Sequence, residues 1–400
     1  MVPKWYPWPD RPVFGAFCRE HARALATRHD VVVLASLATP RPGFAAFQLE
    51  DAVEDEIRTI RVRYRRPFLR PAAMGFQLLG MLAALRRLRR EGWRPDVVHA
   101  HVFEAAPPAL MLARLSRAPL AITEHYTGFQ RGLVTGYDRW LAKWSFERAD
   151  VVAPVSEELA GHLRELAPRA TFEVVPNVVD TSAFAPPDVD GERRDVTADA
   201  PVGGAAGTGT ERDAAATRPA PRLLNVAALA EKKGHRYLLE ALTELPDATL
   251  DIVGDGELRG ELERHARSLG IQDRVRFLGE RPKLEVAELM RAADLLVLPS
   301  LAENLPVVLI EAQASGLPAV ATRVGGVPEL VDEVAGVLVP PADAPALAAA
   351  TRDALSREYD AHVLAARARD RYGYDAIAAR WTTIYQRLLA RTRTRSSASI

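Results

Sequence analysis

The stretch Asp294-Leu-Leu-Val-Leu-Pro-Ser300, Leu301-Ala-Glu303-Asn-Leu-Pro306, Val307-Val-Leu-Ile-Glu311-Ala-Gln-Ala-Ser-Gly316, Leu317-Pro-Ala-Val-Ala-Thr322-Arg-Val-Gly325-Gly326 decides how this chain folds. Leu295 to Leu298 is an aliphatic run without polar alternation, the pattern of a strand buried on both faces in a parallel sheet covered by helices. Pro306 suits the first turn of a helix, and Gly316 with Pro318 marks its end. Ala319 to Val324 reads as the next strand, closed by the Gly325-Gly326 turn. Glu303 and Glu311 are then set at the mouth of a strand-to-helix turn and about two turns further along. Open parallel sheets hold their ligands at that place.

The same alternation runs through the rest of the second half. Strands are expected at Leu223 to Ala227, Thr249 to Val253, Val275 to Leu278 and Val337 to Val339, with helices from Tyr237, up to Leu269, at Val286 to Arg291 and from Ala344. Three loops follow strands: Glu231-Lys232-Lys233-Gly234, Glu303-Asn304-Leu305-Pro306 and Gly325-Gly326-Val-Pro328-Glu329. In a parallel sheet all three open on one edge, so their groups converge across long sequence separations. Helix N-termini after the second and third loops offer backbone N–H groups and a positive dipole end, suited to phosphate. Lys233 supplies a counter-charge, and Glu311 can accept hydrogen bonds from a ribose diol. Each feature alone reads as a turn, a surface loop or an exposed helix carboxylate; in this order they point to an anion-binding edge.

The first half is also βα in pattern. A helix is expected at Ala16 to Thr27 behind Gly15, strands at Val31 to Ala35, Asp96 to His101, Leu120 to His125, Asp150 to Ser156 and Phe172 to Val175, and a helix at Ala72 to Arg90. A βα domain should open on a strand feeding the Gly15 turn, but only Met1 and Val2 precede Pro3. Either this first strand was lost from the gene model, which is the expectation, or the protein lacks it. Arginines interleave with Tyr64, Phe68 and Leu69 over Arg61 to Arg70, and Arg86, Arg87, Arg89 and Arg90 crowd the end of the following helix. They read either as ordinary macrodipole partners or as a patch for an anionic membrane surface. A last helix, Tyr374 to Arg391, carries Ile377, Trp381, Ile384, Tyr385, Leu388 and Leu389 on one face.

Between the halves, Ala185 to Pro221 is mostly Pro, Gly, Ala, Asp and Thr, a composition that cannot repay its ordering entropy. The organisation expected is therefore an N-terminal Rossmann-like domain over 1–184 with the helix at 374–395 returning to it, a disordered linker over 185–221, and a C-terminal Rossmann-like domain over 222–373. Four hundred residues with 48% hydrophobic content support two α/β cores. Lys plus Arg and Asp plus Glu are 52 each, so no net field favours nucleic acid. Cys18 stands alone, which excludes an internal disulfide framework and permits a reducing compartment. No apolar run reaches the roughly 20 residues that cross a bilayer. A cytoplasmic protein is expected, with peripheral contact at the inner face of the plasma membrane as the sharper reading of the basic stretch.

The second half closely resembles the retaining glycosyltransferases of family 4, which have the GT-B architecture of two Rossmann-like domains facing a cleft. The likeness rests on Val226-Ala-Ala-Leu229 with Lys233-Gly234, Val253-Gly-Asp-Gly256, Phe277-Leu-Gly279, the paired glutamates Glu303 and Glu311, and Ala314 to Glu329. The first half is similar through Gly15, Thr123-Glu-His125, Val155-Ser156 and Pro176-Asn177 with Asp180. The resemblance implies transfer of a sugar from a nucleotide-diphosphate donor to a hydroxyl acceptor, glycan or lipid-linked, by a metal-independent hexosyltransferase needing no cofactor. It implies that Lys233 binds the diphosphate, Glu311 the ribose, Glu303 the donor sugar, and the backbone at Asn304 and Leu305 the phosphate. Gly15 would let its loop approach the donor, and His125 would lie near sugar and acceptor; His99 and His101 read mainly as structural. Where the family often carries an Arg, this chain has Ala228, which leaves the leaving-group charge to Lys233, the helix dipoles and Lys232. A nucleotide-sugar 2-epimerase of the same architecture and a non-catalytic nucleotide-sugar-binding protein remain the alternatives.

Overall fold

The computed structural model describes residues 1–11, 14–39, 46–66, 70–186 and 220–397. The low-complexity joint read at 185–221 lies outside the described residues except at its ends. The chain divides into two compact units, Met1–Asp180 with Asp370–Ile400, and Thr181–Arg369.

The first unit begins with β1 (Val2–Pro3), α1 (Ala16–Ala26), β2 (Val32–Thr39), β3 (Phe47–Glu54), β4 (Ile57–Arg65) and α2 (Arg70–Arg90). It continues through β5 (Val98–His101), α3 (Ala106–Ser116), β6 (Leu120–Glu124), α4 (Gly136–Phe146), β7 (Val151–Pro154) and α5 (Glu157–Leu166). The strands β1-β5-β6-β7 form a parallel sheet in that order. A second group, β2-β4-β3, pairs β2 with β4 in parallel and β3 with β4 antiparallel. Leu34 N–H donates to the Met1 carbonyl at 2.9 Å, which carries pairing from β1 on to β2. A first strand is therefore present but reduced to two residues, with Val2 opposite Ala100 and Pro3 opposite His101. The sequence reading that it was absent is corrected here. Pro3 masked it, because a proline reads as a strand breaker until it is seen at the end of the strand.

The basic stretch also reads differently. Arg61 belongs to β4, whose arginines pair with acids of β3 across the ladder: Arg58 with Asp51, Arg61 with Glu54 and Arg63 with Glu50. The pairs run diagonally to the register, in which Arg58, Arg61 and Arg63 stand opposite Val53, Glu50 and Gln48; opposite charges within reach on paired strands stabilise the pairing, and these guanidiniums are committed to it. Arg61 is buried and lies over the Trp8 ring with its carbon 5.3 Å from the centroid. The side chains of 67–71 lie outside the described ones. The segment at Phe172 joins the sheet by an isolated bridge to Val152, with Val152 N–H on the Thr171 carbonyl, Glu173 N–H on that of Val152 and Val175 N–H on that of Pro154.

The second unit contains β8 (Arg222–Val226), α6 (His235–Thr243), β9 (Thr249–Val253), α7 (Arg259–Ser268), β10 (Val275–Gly279), α8 (Lys283–Ala292), β11 (Leu295–Leu298), α9 (Val307–Ala314), β12 (Ala319–Thr322), β13 (Gly336–Val339), α10 (Ala344–Ser356) and most of α11 (Ala361–Tyr372). Its strands are all parallel, in the order β10-β9-β8-β11-β12-β13. Counted from β8 this is 3-2-1-4-5-6, the doubly wound Rossmann order, whose switch point lies between β8 and β11. Leu295 to Leu298 are all at most 1% exposed, which is why that run shows no alternation.

The final helix, α12 (Tyr374–Ser397), belongs to the first unit. Ile377, Trp381, Ile384, Tyr385 and Leu388 share one core cluster with Ala24 and Leu25 of α1, Ala121 of β6 and Val151 and Ala153 of β7.

Candidate active site

In the second unit the switch point places the loop after β8 beside the loop after β11. Lys233 Nζ reaches Glu303 Oε1 at 2.5 Å, and Ser300 Oγ donates to the same oxygen at 2.7 Å. Both charged side chains are largely covered, 16% and 6% exposed, so their attraction is screened less than that of a surface pair. Backbone contacts fix the loops themselves: Leu301 N–H donates to the Lys232 carbonyl and Gly326 N–H to the Asn304 carbonyl, each at 2.7 Å. Thr322 Oγ1 holds the Ser300 carbonyl, and Asn225 Nδ2 donates to the Val297 carbonyl at 2.8 Å. The three loops picked out in the sequence thus meet on one edge of the sheet.

Gly234 makes the approach possible. Its φ is +65°, and a Cβ there would lie 2.1 Å from the Pro299 carbonyl oxygen, so a side chain is excluded by conformation and by space. Asn304 and Leu305 are buried beside Glu303. Glu311 lies past the first turn of α9, half-buried. Ser300 and Thr322 had no assigned role in the sequence reading; a strand-end hydroxyl carries no signal until its neighbour across the sheet is known.

In the first unit, Gly15 caps α1 at φ +72°, where a Cβ would come within 2.4 Å of the Trp5 carbonyl carbon. His125 follows β6 at a turn built on Glu124. The Glu124 carboxylate accepts the N–H groups of Phe103, His125 and Tyr126 at 2.8–2.9 Å. Burial nevertheless raises its pKa to about 7, the three N–H donors opposing the shift. His125 Nδ1 is 3.0 Å from Asn177 Oδ1, and its Nε2 is 3.0 Å from His101 Nδ1. With the amide oxygen as acceptor, His125 carries its proton on Nδ1 and accepts at Nε2 from His101. Burial, and secondarily the charge of a protonated His21, keep the His125 pKa well below the usual imidazole range, so the ring is neutral at physiological pH.

Around this ring stand His101, read from the sequence as mainly structural, and two partners that reading passed over, Phe17 and His21. Phe17 lies at 4.7 Å between centroids, His101 stacks at 5.3 Å, and His21 stands edge-on at 5.3 Å. His99 is held by Tyr385 and Thr123, each at 2.6 Å, and stacks on His101. Cys18 and His21, three residues apart on α1, were the available signal for this cluster.

Comparison with known proteins identifies the family and the fold. Residues 15–183 match the model described as Glycosyltransferase Family 4, and residues 211–371 the model described as Glycosyl transferases group 1. Among curated relatives, the glycogen synthase of Mycobacterium tuberculosis is 29% identical over 320 residues, 76% of this chain and 70% of that protein. The 2-deoxystreptamine N-acetyl-D-glucosaminyltransferase of Streptomyces fradiae is 30% identical over 331 residues, 75% of this chain and 73% of that protein. Among solved structures, the sucrose-phosphate synthase of Thermosynechococcus elongatus superposes with a TM-score of 0.71 at 22% identity, covering 94% of this chain and 93% of the other. Anabaena HepE in complex with UDP and glucose gives 0.69 at 18%, covering 96% and 98%. The chain has the GT-B fold of these neighbours. Among the described residues, no helix is long and apolar enough to cross a membrane. This chain belongs to the family 4 glycosyltransferases and is an enzyme that transfers a sugar from a nucleotide-sugar donor.

Proposed function

We propose that this enzyme is a retaining, metal-independent hexosyltransferase acting on a nucleotide-diphosphate sugar and a hydroxyl acceptor, in glycolipid, polysaccharide or other glycoconjugate synthesis. The observation that carries the donor side is the Lys233–Glu303 pair, backed by Ser300, at the switch point of the second unit's sheet. A diphosphate arriving there competes with Glu303 for the Lys233 ammonium. Lys233 then neutralises charge growing on the leaving phosphate, the work a divalent ion would otherwise do. Glu303, released from the lysine and still held by Ser300, turns its carboxylate to the sugar hydroxyls. Backbone N–H groups at Asn304 and Leu305 meet the phosphate, and Glu311 accepts from the ribose diol. The complex of HepE with UDP and glucose supports a nucleotide diphosphate and a hexose as the ligand classes.

Gly15 and His125 are assigned to the first unit's share of the reaction. Because both ring nitrogens of His125 already have partners, its hydrogen bond to a sugar or acceptor hydroxyl requires exchange of the His101 contact at Nε2. A role at an anionic membrane surface rests on the exposed Arg65, Arg66, Arg86 and Arg90, since Arg58, Arg61 and Arg63 are committed across the β3–β4 ladder.

Lys233→Ala is expected to lower sugar transfer by at least about 3 kcal/mol of transition-state stabilisation, roughly a hundredfold in rate. Glu303→Gln should abolish both transfer and donor hydrolysis while nucleotide binding, followed by thermal shift, persists. Near-normal turnover in Lys233→Ala would remove that residue from the mechanism. Release of free nucleotide and isomerised sugar without any acceptor would identify a 2-epimerase instead.

A further inference from the structure

With the β1–β2 pairing included, the strands of the first unit run β3-β4-β2-β1-β5-β6-β7. The helices α2, α3 and α4 each connect a strand to one further along in the same direction, so right-handed crossover puts all three on one face of the sheet. The connection through α1 runs the other way, and α1 packs on α12 instead. The face built from α2, α3 and α4 is set apart in charge. The chain as a whole has equal numbers of acidic and basic residues, but these three helices together carry eight Lys or Arg and one acid, Asp138. Arg87 and Arg89 are committed, the first to Asp51 and Glu91 and the second to the Leu115 carbonyl. Arg86, Arg90, Arg114, Arg139 and Lys143 are exposed.

The same face leaves large apolar side chains in water. Leu79 of α2, Leu115 of α3, Leu133 before α4, and Tyr137 and Trp140 of α4 are all exposed, Trp140 at 57%. On α4 the buried positions are Leu141, Ala142, Ser145 and Phe146. At 100° per residue, Tyr137, Trp140 and Trp144 fall together on the opposite side. Their rings follow one another with centroids 5.6 and 6.2 Å apart, and the Arg148 guanidinium lies over Trp144 at 4.7 Å. Where a surface gathers this many large apolar groups, a partner or a membrane covers them. Amphipathic rings flanked by Lys and Arg are the composition that settles at the headgroup level of an anionic bilayer, and each cation near such a surface adds to binding. The stripe also begins beside the first unit's reactive end: the loop that carries His125 leads through Leu133 into Tyr137.

We propose that the outer face of α2, α3 and α4, centred on Tyr137, Trp140 and Trp144, docks on an anionic lipid bilayer. The aromatic side chains seat among the headgroups, and Arg86, Arg90, Arg114, Arg139 and Lys143 meet the lipid phosphates. Asp138 and Glu147 are the acids closest to the stripe in sequence, and the next helix, α5, returns to an acidic surface with Glu157, Glu158 and Glu165. This extends the membrane contact proposed above from single arginines to a built surface. Its use by a lipid-linked acceptor rests on the role assigned to His125; the docking itself does not.

The test is co-sedimentation of the full-length protein with vesicles of phosphatidylcholine, alone or mixed with phosphatidylglycerol, in the absence of donor. Binding is expected to the mixed vesicles only and should weaken as salt rises. Arg139→Gln with Lys143→Gln should weaken it about thirtyfold, the effect of removing two surface cations. Tyr137→Ser with Trp140→Ser should weaken it at least about tenfold while the salt dependence persists. Arg264→Gln with Arg267→Gln, the same charge change at exposed positions of α7 in the second unit, should bind as the parent does. Each variant should keep the parent's melting temperature and its donor hydrolysis without vesicles. No binding to mixed vesicles, equal binding to phosphatidylcholine alone, or unchanged binding in the Tyr137–Trp140 variant would overturn the surface. So would a dimer that dissociates in that variant, which would assign the stripe to a second copy of the chain. Because binding is read without donor, normal turnover of Lys233→Ala would strike the donor assignment and leave this one standing.

Discussion

His235 shows how one residue couples the donor loop to stability. It opens α6 directly after Lys233 and Gly234, and burial, reinforced by the Lys233 charge, lowers its pKa from 6.5 to about 4. Neither of its ring nitrogens has a hydrogen-bond partner. The unfolded chain therefore binds a proton at this residue between about pH 6.5 and pH 4 while the folded protein does not. Its contribution to stability is present above pH 6.5 and is lost as pH falls through that window. His235→Gln should lose less stability on acidification than the parent, by an amount on the order of 3 kcal/mol across the window. Denaturant titrations at pH 7 and pH 4 measure this, the difference between the two proteins isolating His235 from the buried histidines near His125. At this scale Lys233, Glu303 and Glu311 stood out in the chain because charged residues beside strand ends and glycines carry a strong local signal. The support given by Ser300 and Thr322 was not legible, because it depends on which strands are neighbours.

The elements were read unevenly, and the failures have a common cause. Uniformly apolar runs such as Leu295 to Leu298 are recognisable because burial on both faces removes polar residues. The arginines that open the stretch from Arg61 could not be assigned a partner from the sequence because, read singly, they look solvated; Arg61 and Arg63, like Arg58 before them, pair with acids of β3. Strand β1 escaped notice through its length of two residues and its proline. The turn between β8 and α6 is the element most exposed to a single change. Gly234→Ala should destabilise the second unit by more than about 1 kcal/mol, since alanine pays for the left-handed conformation and also meets the Pro299 oxygen. It should also weaken nucleotide binding, because Lys233 precedes it. Melting temperature and nucleotide affinity, measured together, check both; an unchanged melting temperature would mean that the loop relaxes freely.

At the scale of the whole chain, the two units are not two consecutive segments. Residues 370–400 complete the first unit after the chain has built the second. Trp381 is fully buried, its ring 4.2 Å from that of His99 and 5.4 Å from that of Tyr385. Trp381→Ala should cost about 3–5 kcal/mol, as truncation of a buried aromatic side chain does. Hydrogen exchange should place the loss in α1, β6 and β7 and leave β8, β11 and β12 protected; uniform loss across both units would show that they unfold as one. The sequence by itself determined that the chain is a pair of βα units with charged, glycine-flanked loops after the strands of the second, because burial pattern, helix boundaries and loop charges are local properties. It also carried the family resemblance, since those motifs are short and contiguous. The tertiary structure alone decided that Lys233 and Glu303 meet, that Arg58, Arg61 and Arg63 of β4 are spent in pairing, and that Cys18, His21, His101 and His125 share one place. Those outcomes depend on strand order and side-chain direction, and a parallel sheet brings together at its switch point residues that the chain keeps seventy positions apart.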